Sequence, residues 1–281
     1  MADSRKNNDK LTTKQYRYSP LTRYGRLLLR KVNRAIDEFG LLVDGDRVCV
    51  AVSGGKDSLG LLYLLLEHRR FYNVDFSVSA VHTVSDYNPN AERTRDYLEG
   101  LFRDIDIDYA FKEIEITRDE EGNEATPDCF LCAWKRREAL FRYCVDTGAT
   151  KLALGHHADD VAETTLLNLV YHGTLETMLP RRSFFDGKFD VVRPLFYIRE
   201  NDLARYARMA GFDTSTCACP NEDTSKRAVM KDVLRGLRKE ARQLNSNLWK
   251  AAKSWHDAYG DLPLHTKRKH QGRRKDTKEG R

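Results

Sequence analysis

No stretch of the 281-residue chain approaches eighteen consecutive apolar residues, so no membrane-spanning helix is expected. The opening residues, MADSRKNNDKLTTKQ, lack the apolar core of a secretory signal, and the expected location is the cytoplasm. Two common nucleotide signatures are missing. Neither G-x-x-x-x-G-K-[ST] nor G-x-G-x-x-G occurs, which excludes a Walker A loop and a Rossmann fingerprint. No internal repeat is visible. Six cysteines, at 49, 129, 132, 144, 217 and 219, do not argue for a disulfide framework in a cytoplasmic chain.

Charge is present but unevenly placed. Residues 1–31 carry a net +7 and residues 264–281 a net +6, while the whole chain is +6, so the body between them is acidic. Basic ends on an α/β enzyme suggest a polyanionic partner, most simply a nucleic acid, although solvated charged tails are common.

The most informative stretch is Val48 to Ser58, VCVAVSGGKDS. Its first five residues read as a buried strand, and Leu59 to Leu66 as a mostly buried helix. Between them lies Ser53-Gly54-Gly55-Lys56-Asp57-Ser58. A glycine turn leading into a helix is an anion site, because free N–H groups and the helix dipole favour phosphate. Ser53 and Ser58 add hydroxyls, and Lys56 adds a point charge.

Along the chain, a basic amphipathic helix from Thr22 to Phe39 precedes the first strand. A second strand is expected from Val74, ending at His82 and Thr83, then a helix over 91–102, a third strand over 105–116 and a helix over 131–146. A short strand at 151–154 and a helix over 159–171 follow. This alternation predicts a doubly wound α/β fold with a parallel sheet. A loop or hairpin around Asp186-Gly187, a helix over 199–210 and a basic helix over 226–244 complete the expectation. The division is a basic N-terminal helical segment (1–45), a nucleotide domain (46–212), a cysteine-containing helical segment (213–262) and a basic, disordered tail (263–281).

Ligands of open parallel sheets bind beyond the carboxyl ends of the strands. The Ser53–Ser58 loop, His82-Thr83, the Cys129 region and Gly155-His156-His157-Ala158-Asp159-Asp160 are all expected there. Asp57 and Asp160 are candidate Mg²⁺ or phosphate-positioning carboxylates, with helix capping as the plainer role for Asp57 and Asp159. Cys129-x-x-Cys132 fits zinc, redox chemistry or an iron–sulfur cluster. With Cys217 and Cys219 nearby, four thiolates suit structural zinc, and three suit a [4Fe–4S] cluster with one open iron. Cys49 and Cys144 are expected to be buried packing residues.

The string SGGKDS after a strand resembles the PP-loop of ATP pyrophosphatases. The same chain then carries C-x-x-C followed by Arg136-Arg137, GHHADD, Arg193-Pro194-Leu195 with Arg199-Glu200, and a cysteine before a basic helix. Over about residues 20 to 240 this resembles the PP-loop tRNA 2-thiolation enzymes of the TtcA/TtuA group, most of all the tRNA-cytidine 2-sulfurtransferase branch. The N-terminal zinc finger of the thiouridine branch is absent here. The resemblance implies a HUP-like PP-loop fold with basic helical extensions. It implies ATP-dependent adenylylation of a pyrimidine C2 oxygen in tRNA, then sulfur transfer through a [4Fe–4S] cluster.

Carried over by residue, it assigns Ser53, Gly54, Gly55, Asp57 and Ser58 to ATP and Asp160 to the nucleotide or metal. His82 and Gly155 are further nucleotide candidates from their place at the strand ends, and Lys56, Asp57, Asp160 and Arg136 are the candidate catalytic residues, Arg136 toward tRNA phosphate or the adenylylated base. Cys129 and Cys132 hold the cluster with Cys219, favoured by counting back from Arg227, or with Cys217. Mg²⁺ is the expected metal for ATP, and zinc at the thiolates is the alternative. The expected partners are tRNA and a sulfur donor such as a cysteine desulfurase or sulfide, with a homodimer as a possible assembly. Two other readings compete: another AMP-forming PP-loop ligase with structural zinc, and a non-catalytic nucleotide- or RNA-binding protein.

Overall fold

The computed structural model describes residues 22–72, 74–117, 129–213 and 226–259. Its order is α1 (Arg23–Phe39), β1 (Arg47–Ala51), α2 (Lys56–Phe71), β2 (Ser77–Ser85), α3 (Ala91–Asp104), β3 (Asp108–Ile114), α4 (Cys129–Thr147), β4 (Lys151–Ala153) and α5 (Ala158–Leu167). Then come a π-helical turn (Asn168–His172), β5 (Arg181–Phe184), β6 (Phe189–Val192), α6 (Glu200–Ala210), α7 (Lys226–Glu240) and α8 (Leu244–Tyr259). The six strands lie in the order β3-β2-β1-β4-β6-β5. All neighbours are parallel except the β5–β6 hairpin, whose turn falls at Asp186-Gly187. The doubly wound expectation is met, and the hairpin supplies the one antiparallel edge.

β1 shows why the sheet is covered on both sides. Val48, Val50 and Val52 face a core built from α1, α2, α3 and α6. Cys49 faces the opposite core with Cys144 of α4, Leu152, Phe189 and Val191. Period-two alternation with apolar residues on both faces is the pattern of a central strand between helical layers. Cys49 and Cys144 are fully buried, as expected of packing residues, and their mutual hydrogen bond and burial push the Cys49 thiol up.

Several boundaries differ from the sequence reading. β2 continues to Ser85, so His82 and Thr83 lie inside the strand rather than at its end. Residues 105–107 turn out of α3 before β3 begins, with the Ile105 amide donating to Leu101. The helix expected to Tyr171 leaves α geometry at Leu167 and closes at Gly173, whose φ of +66° suits glycine. The basic helix expected to Leu244 stops at Glu240, and a further helix, α8, follows it. α8 escaped the sequence pattern because its anchors are sparse. Ala252 is fully buried, and Trp249 packs edge-on to Phe39 and Phe196 at 6.0 and 5.2 Å.

Part of the basic face of α1 is spent inside the molecule. Lys31 pairs with Asp202 at 2.8 Å, and Arg34 pairs with Glu38 at 3.2 Å while stacking over Tyr197.

Candidate functional site

The strand order runs outward in opposite directions from β1 and β4, so their carboxyl ends open a crevice between them. The loop after β1 and the turn after β4 meet there. Gly54 sits at φ +89°, a conformation that needs glycine. The two serines brace the loop from inside. The Ser53 amide donates to Ser58 Oγ at 3.1 Å, the Gly55 amide to Ser53 Oγ at 3.3 Å, and the Ser58 hydroxyl to the Gly55 carbonyl at 3.0 Å. α2 then starts at Gly55 with no side-chain cap. Its first amides therefore face the crevice as donors for an anion.

Gly155 explains how tightly the two loops pack. A Cβ there would lie 3.0 Å from the Ser58 amide nitrogen and 3.2 Å from the Asp57 carbonyl carbon. The turn thus rests directly on the first turn of α2, which only glycine permits.

Lys56 lies between two carboxylates, 3.0 Å from Asp57 and 3.3 Å from Glu200. Burial opposes its charge, but Asp57 and Glu200 outweigh burial and hold its pKa above the usual lysine range. Burial pushes the Asp57 carboxyl up, against the pull of His157 and Lys56. Asp57 Oδ1 is buried without a hydrogen bond, 3.9 Å from His157 Nε2. His156 is a second group lacking a partner: its Nδ1 is buried and unbonded, and burial lowers its pKa to about 4.

The two acids of GHHADD divide their roles in the opposite way to the one expected from helix capping. His157 is the N-cap of α5 and Asp160 completes its capping box. The His157 amide donates to Asp160 Oδ2 at 2.9 Å, and the Asp160 amide donates to His157 Nδ1 at 3.4 Å. Asp159 points inward instead. Its two oxygens accept from the Glu200 amide at 2.6 Å and from Asn245 at 2.9 Å, and it pairs with Arg238 at 2.6 Å. One buried aspartate thus ties α5 to α6, α7 and α8. Asp160 Oδ1 keeps a long approach of 3.9 Å to Arg227.

Glu200, Lys231 and Glu163 are site residues that motif reading did not place. Glu200 starts α6 and accepts from Lys231 at 2.9 Å as well as from Lys56. Glu200 is visible in the sequence beside Arg199, but nothing local shows that it reaches the PP-loop lysine. Glu163, on α5, is only 4% exposed. Burial, then Asp160, pushes its pKa up to about 7, against Arg227, Lys231 and His157.

The folded Glu163 therefore holds a proton that the unfolded chain releases between pH 4.5 and about 7, and its contribution to stability falls as pH rises through that window. Glu163→Gln is expected to raise stability at pH 8 by up to about 3 kcal/mol, read as a higher thermal midpoint than the parent's, and to leave the two midpoints nearly equal at pH 5. A midpoint difference independent of pH in calorimetry would contradict this assignment.

His82 is buried inside β2 with Nδ1 2.6 Å from the Val52 carbonyl oxygen, and burial lowers its pKa. It buttresses the strand before the loop. Arg136 is exposed on α4, one turn after Cys132, and has no ion pair among the described residues. Cys129 and Cys132 fall in the first turn of α4, and Cys132 is half-buried. Cysteines three residues apart at a helix start have the spacing of thiolate ligands to a metal or cluster. Cys217 and Cys219 lie outside the described residues.

A mostly parallel sheet with an uncapped glycine loop at its switch point defines a nucleotide-binding α/β protein of the PP-loop class. Residues 28–235 match the PP-loop domain family. The chain is 39% identical over 227 residues to the tRNA-cytidine(32) 2-sulfurtransferase of Polynucleobacter asymbioticus, covering 80% of this chain and 74% of that protein. It is 35% identical over 249 residues to the tRNA-cytidine(32) 2-sulfurtransferase of Pelobacter propionicus, covering 88% and 91% respectively. Among solved structures, the U34-tRNA thiolase NcsA from Methanococcus maripaludis with its [4Fe-4S] cluster shares the fold. Its TM-score is 0.68 at 22% identity, over 83% of this chain and 79% of that one. The chain belongs to the PP-loop tRNA-thiolation enzymes, in the tRNA-cytidine 2-sulfurtransferase group.

Proposed function

We propose that this enzyme thiolates a cytidine of tRNA at C2 in two steps, adenylylation by ATP and displacement of AMP by sulfur. The observation that carries the reading is the meeting of the uncapped α2 terminus with the Gly155 turn, leaving Asp57 Oδ1 buried and unbonded beside it. The α2 amides and the Gly54-Gly55 backbone receive the pyrophosphate of ATP. Lys56 moves from its carboxylate partners toward a phosphate oxygen. Asp57 and Asp160 are carboxylates suited to Mg²⁺ shared with the phosphates.

The C2 oxygen of the base attacks the α-phosphorus, pyrophosphate leaves, and the base is activated as an O-adenylate. Exposed Arg136 offsets the negative charge developing beside it. Sulfur then attacks C2 and AMP departs with the original oxygen. Bound at Cys129, Cys132 and Cys219 (or Cys217), a [4Fe–4S] cluster would supply an iron open to exogenous sulfide. Sulfide supplies sulfur at the oxidation level that this displacement needs; a cysteine desulfurase would serve as donor together with a two-electron thiol reductant that brings its persulfide sulfur to that level.

The test is anaerobic incubation with unmodified tRNA, ATP, Mg²⁺ and sulfide. The expected products are AMP, pyrophosphate and 2-thiocytidine, read by nucleoside mass spectrometry. ADP in place of AMP, or AMP formation indifferent to tRNA, would refute the mechanism.

A further inference from the structure

A groove of about 440 Å³ lies between α4 and the tip of the β5–β6 hairpin, and its lining includes no residue of the phosphate loop. That volume lies within the range of about 300–1,000 Å³ typical of small-ligand sites. Trp134, Arg137, Phe141 and Phe185 line it. Trp134 and Phe185 are 45% and 54% exposed, large for aromatic rings. Phe141 forms the floor, packed against Phe184 and Phe189 at 4.7 and 5.2 Å. Phe185 holds a φ of +52° ahead of the Asp186-Gly187 turn, a conformation that bulky residues seldom take. Two acids, Glu138 and Asp146, also reach the rim, and Glu138 is neutralised by Arg142 at 3.1 Å.

Arg137 of the lining has two cationic neighbours, Arg182 and Arg193. Arg137 and Arg182 have no ion pair among the described residues, and Arg182 lies over the Phe184 ring. Arg193 donates to the Leu179 carbonyl at 2.6 Å, but its Nε is buried and unbonded. Burial, then Arg182 and Arg137, lowers its pKa to about 10, with only Asp160 opposing them. Desolvated like charges are unfavourable side by side unless an anion joins them.

We propose that the groove and these three arginines form a subsite for one unstacked nucleotide of the tRNA substrate, the base lying between Trp134 and Phe185 and its phosphate on Arg137, Arg182 and Arg193. This rests on the tRNA-thiolation reading above. Aromatic faces accept any base, and guanidiniums bind phosphate bidentately, which together make a sequence-tolerant hold on a single strand. The α4 helix that carries the groove begins with Cys129 and Cys132, so the strand is gripped on the same helix that bears the thiols.

The experiment measures binding of fluorescein-labelled, unmodified tRNA transcript to the full chain at several salt concentrations. The panel is Trp134→Ala, Trp134→Phe, Arg182→Ala and the parent, with ATP binding as the folding control. Trp134→Ala is expected to weaken tRNA at least about five-fold, and Trp134→Phe to restore most of the loss. Arg182→Ala is expected to reduce the salt slope by about one. ATP binding stays unchanged in all three. Parent-like tRNA affinity in the Ala variants overturns the subsite. So does a change in oligomeric mass without a change in tRNA affinity, which would make the groove a contact between copies. A parent chain that binds no tRNA would refute the thiolation reading itself.

Discussion

Cys132→Ala is expected to abolish tRNA thiolation, by more than about a thousand-fold, and to leave ATP binding intact. The reasoning is positional. Cys132 lies on the first turn of α4, while the loop proposed to receive ATP follows β1 and is held by its own serines. Removing this thiol therefore removes a proposed cluster ligand without touching the nucleotide loop. A readout independent of turnover is iron, acid-labile sulfide and zinc content after anaerobic purification. The parent should carry about four iron and four sulfide per chain, and the variant should lose them. One zinc and no iron in the parent would remove the cluster from the mechanism. Cys217→Ala and Cys219→Ala, assayed alike, identify the third ligand.

Gly155→Ala is the second large effect, and it falls on the other half of the reaction. The added methyl would sit 3.0 Å from a backbone nitrogen of α2, and neither partner is a flexible side-chain end. The turn after β4 must then lift from the phosphate loop. The expected outcome is loss of ATP binding by at least about a hundred-fold, with a loss of stability of about 1–3 kcal/mol. Gly236→Ala is the matched control. Gly236 lies in α7 with open space where its Cβ would be, so alanine there should stabilise by up to about 1 kcal/mol. Isothermal titration with ATP and thermal unfolding distinguish the two. Unaltered ATP affinity in Gly155→Ala would contradict the close packing of the two loops.

What the sequence made legible were features whose cause is local. The apolar run at 48–52, the glycines at 54 and 55 and the leucine-rich helix fix one strand, turn and helix whatever surrounds them. Asp186-Gly187 marks a hairpin for the same reason. The site was less legible where meaning depends on a partner far along the chain. Asp159 and Asp160 are adjacent, yet one is a buried tie among four helices and the other completes a cap. Shifting the helix start to His157 decides which is which. Glu200 reaches Lys56 across 144 residues, a pairing that no spacing rule contains. His82 read as the end of its strand although β2 extends past it, because strand ends are poorly marked in a sequence of alternating small and apolar residues.

Three cations on α7 meet acids at the nucleotide site: Arg227 approaches Asp160, Lys231 pairs with Glu200 and Arg238 with Asp159. On the other side, Phe212 stacks on Tyr63 at 5.0 Å. One wall of the nucleotide site is therefore closed by charge as much as by ring packing. The Arg227 and Lys231 pairs are partly exposed, and salt screens such pairs. Ionic strength is thus a dial on how firmly α7 holds that wall, one that turns without altering any residue of the phosphate loop.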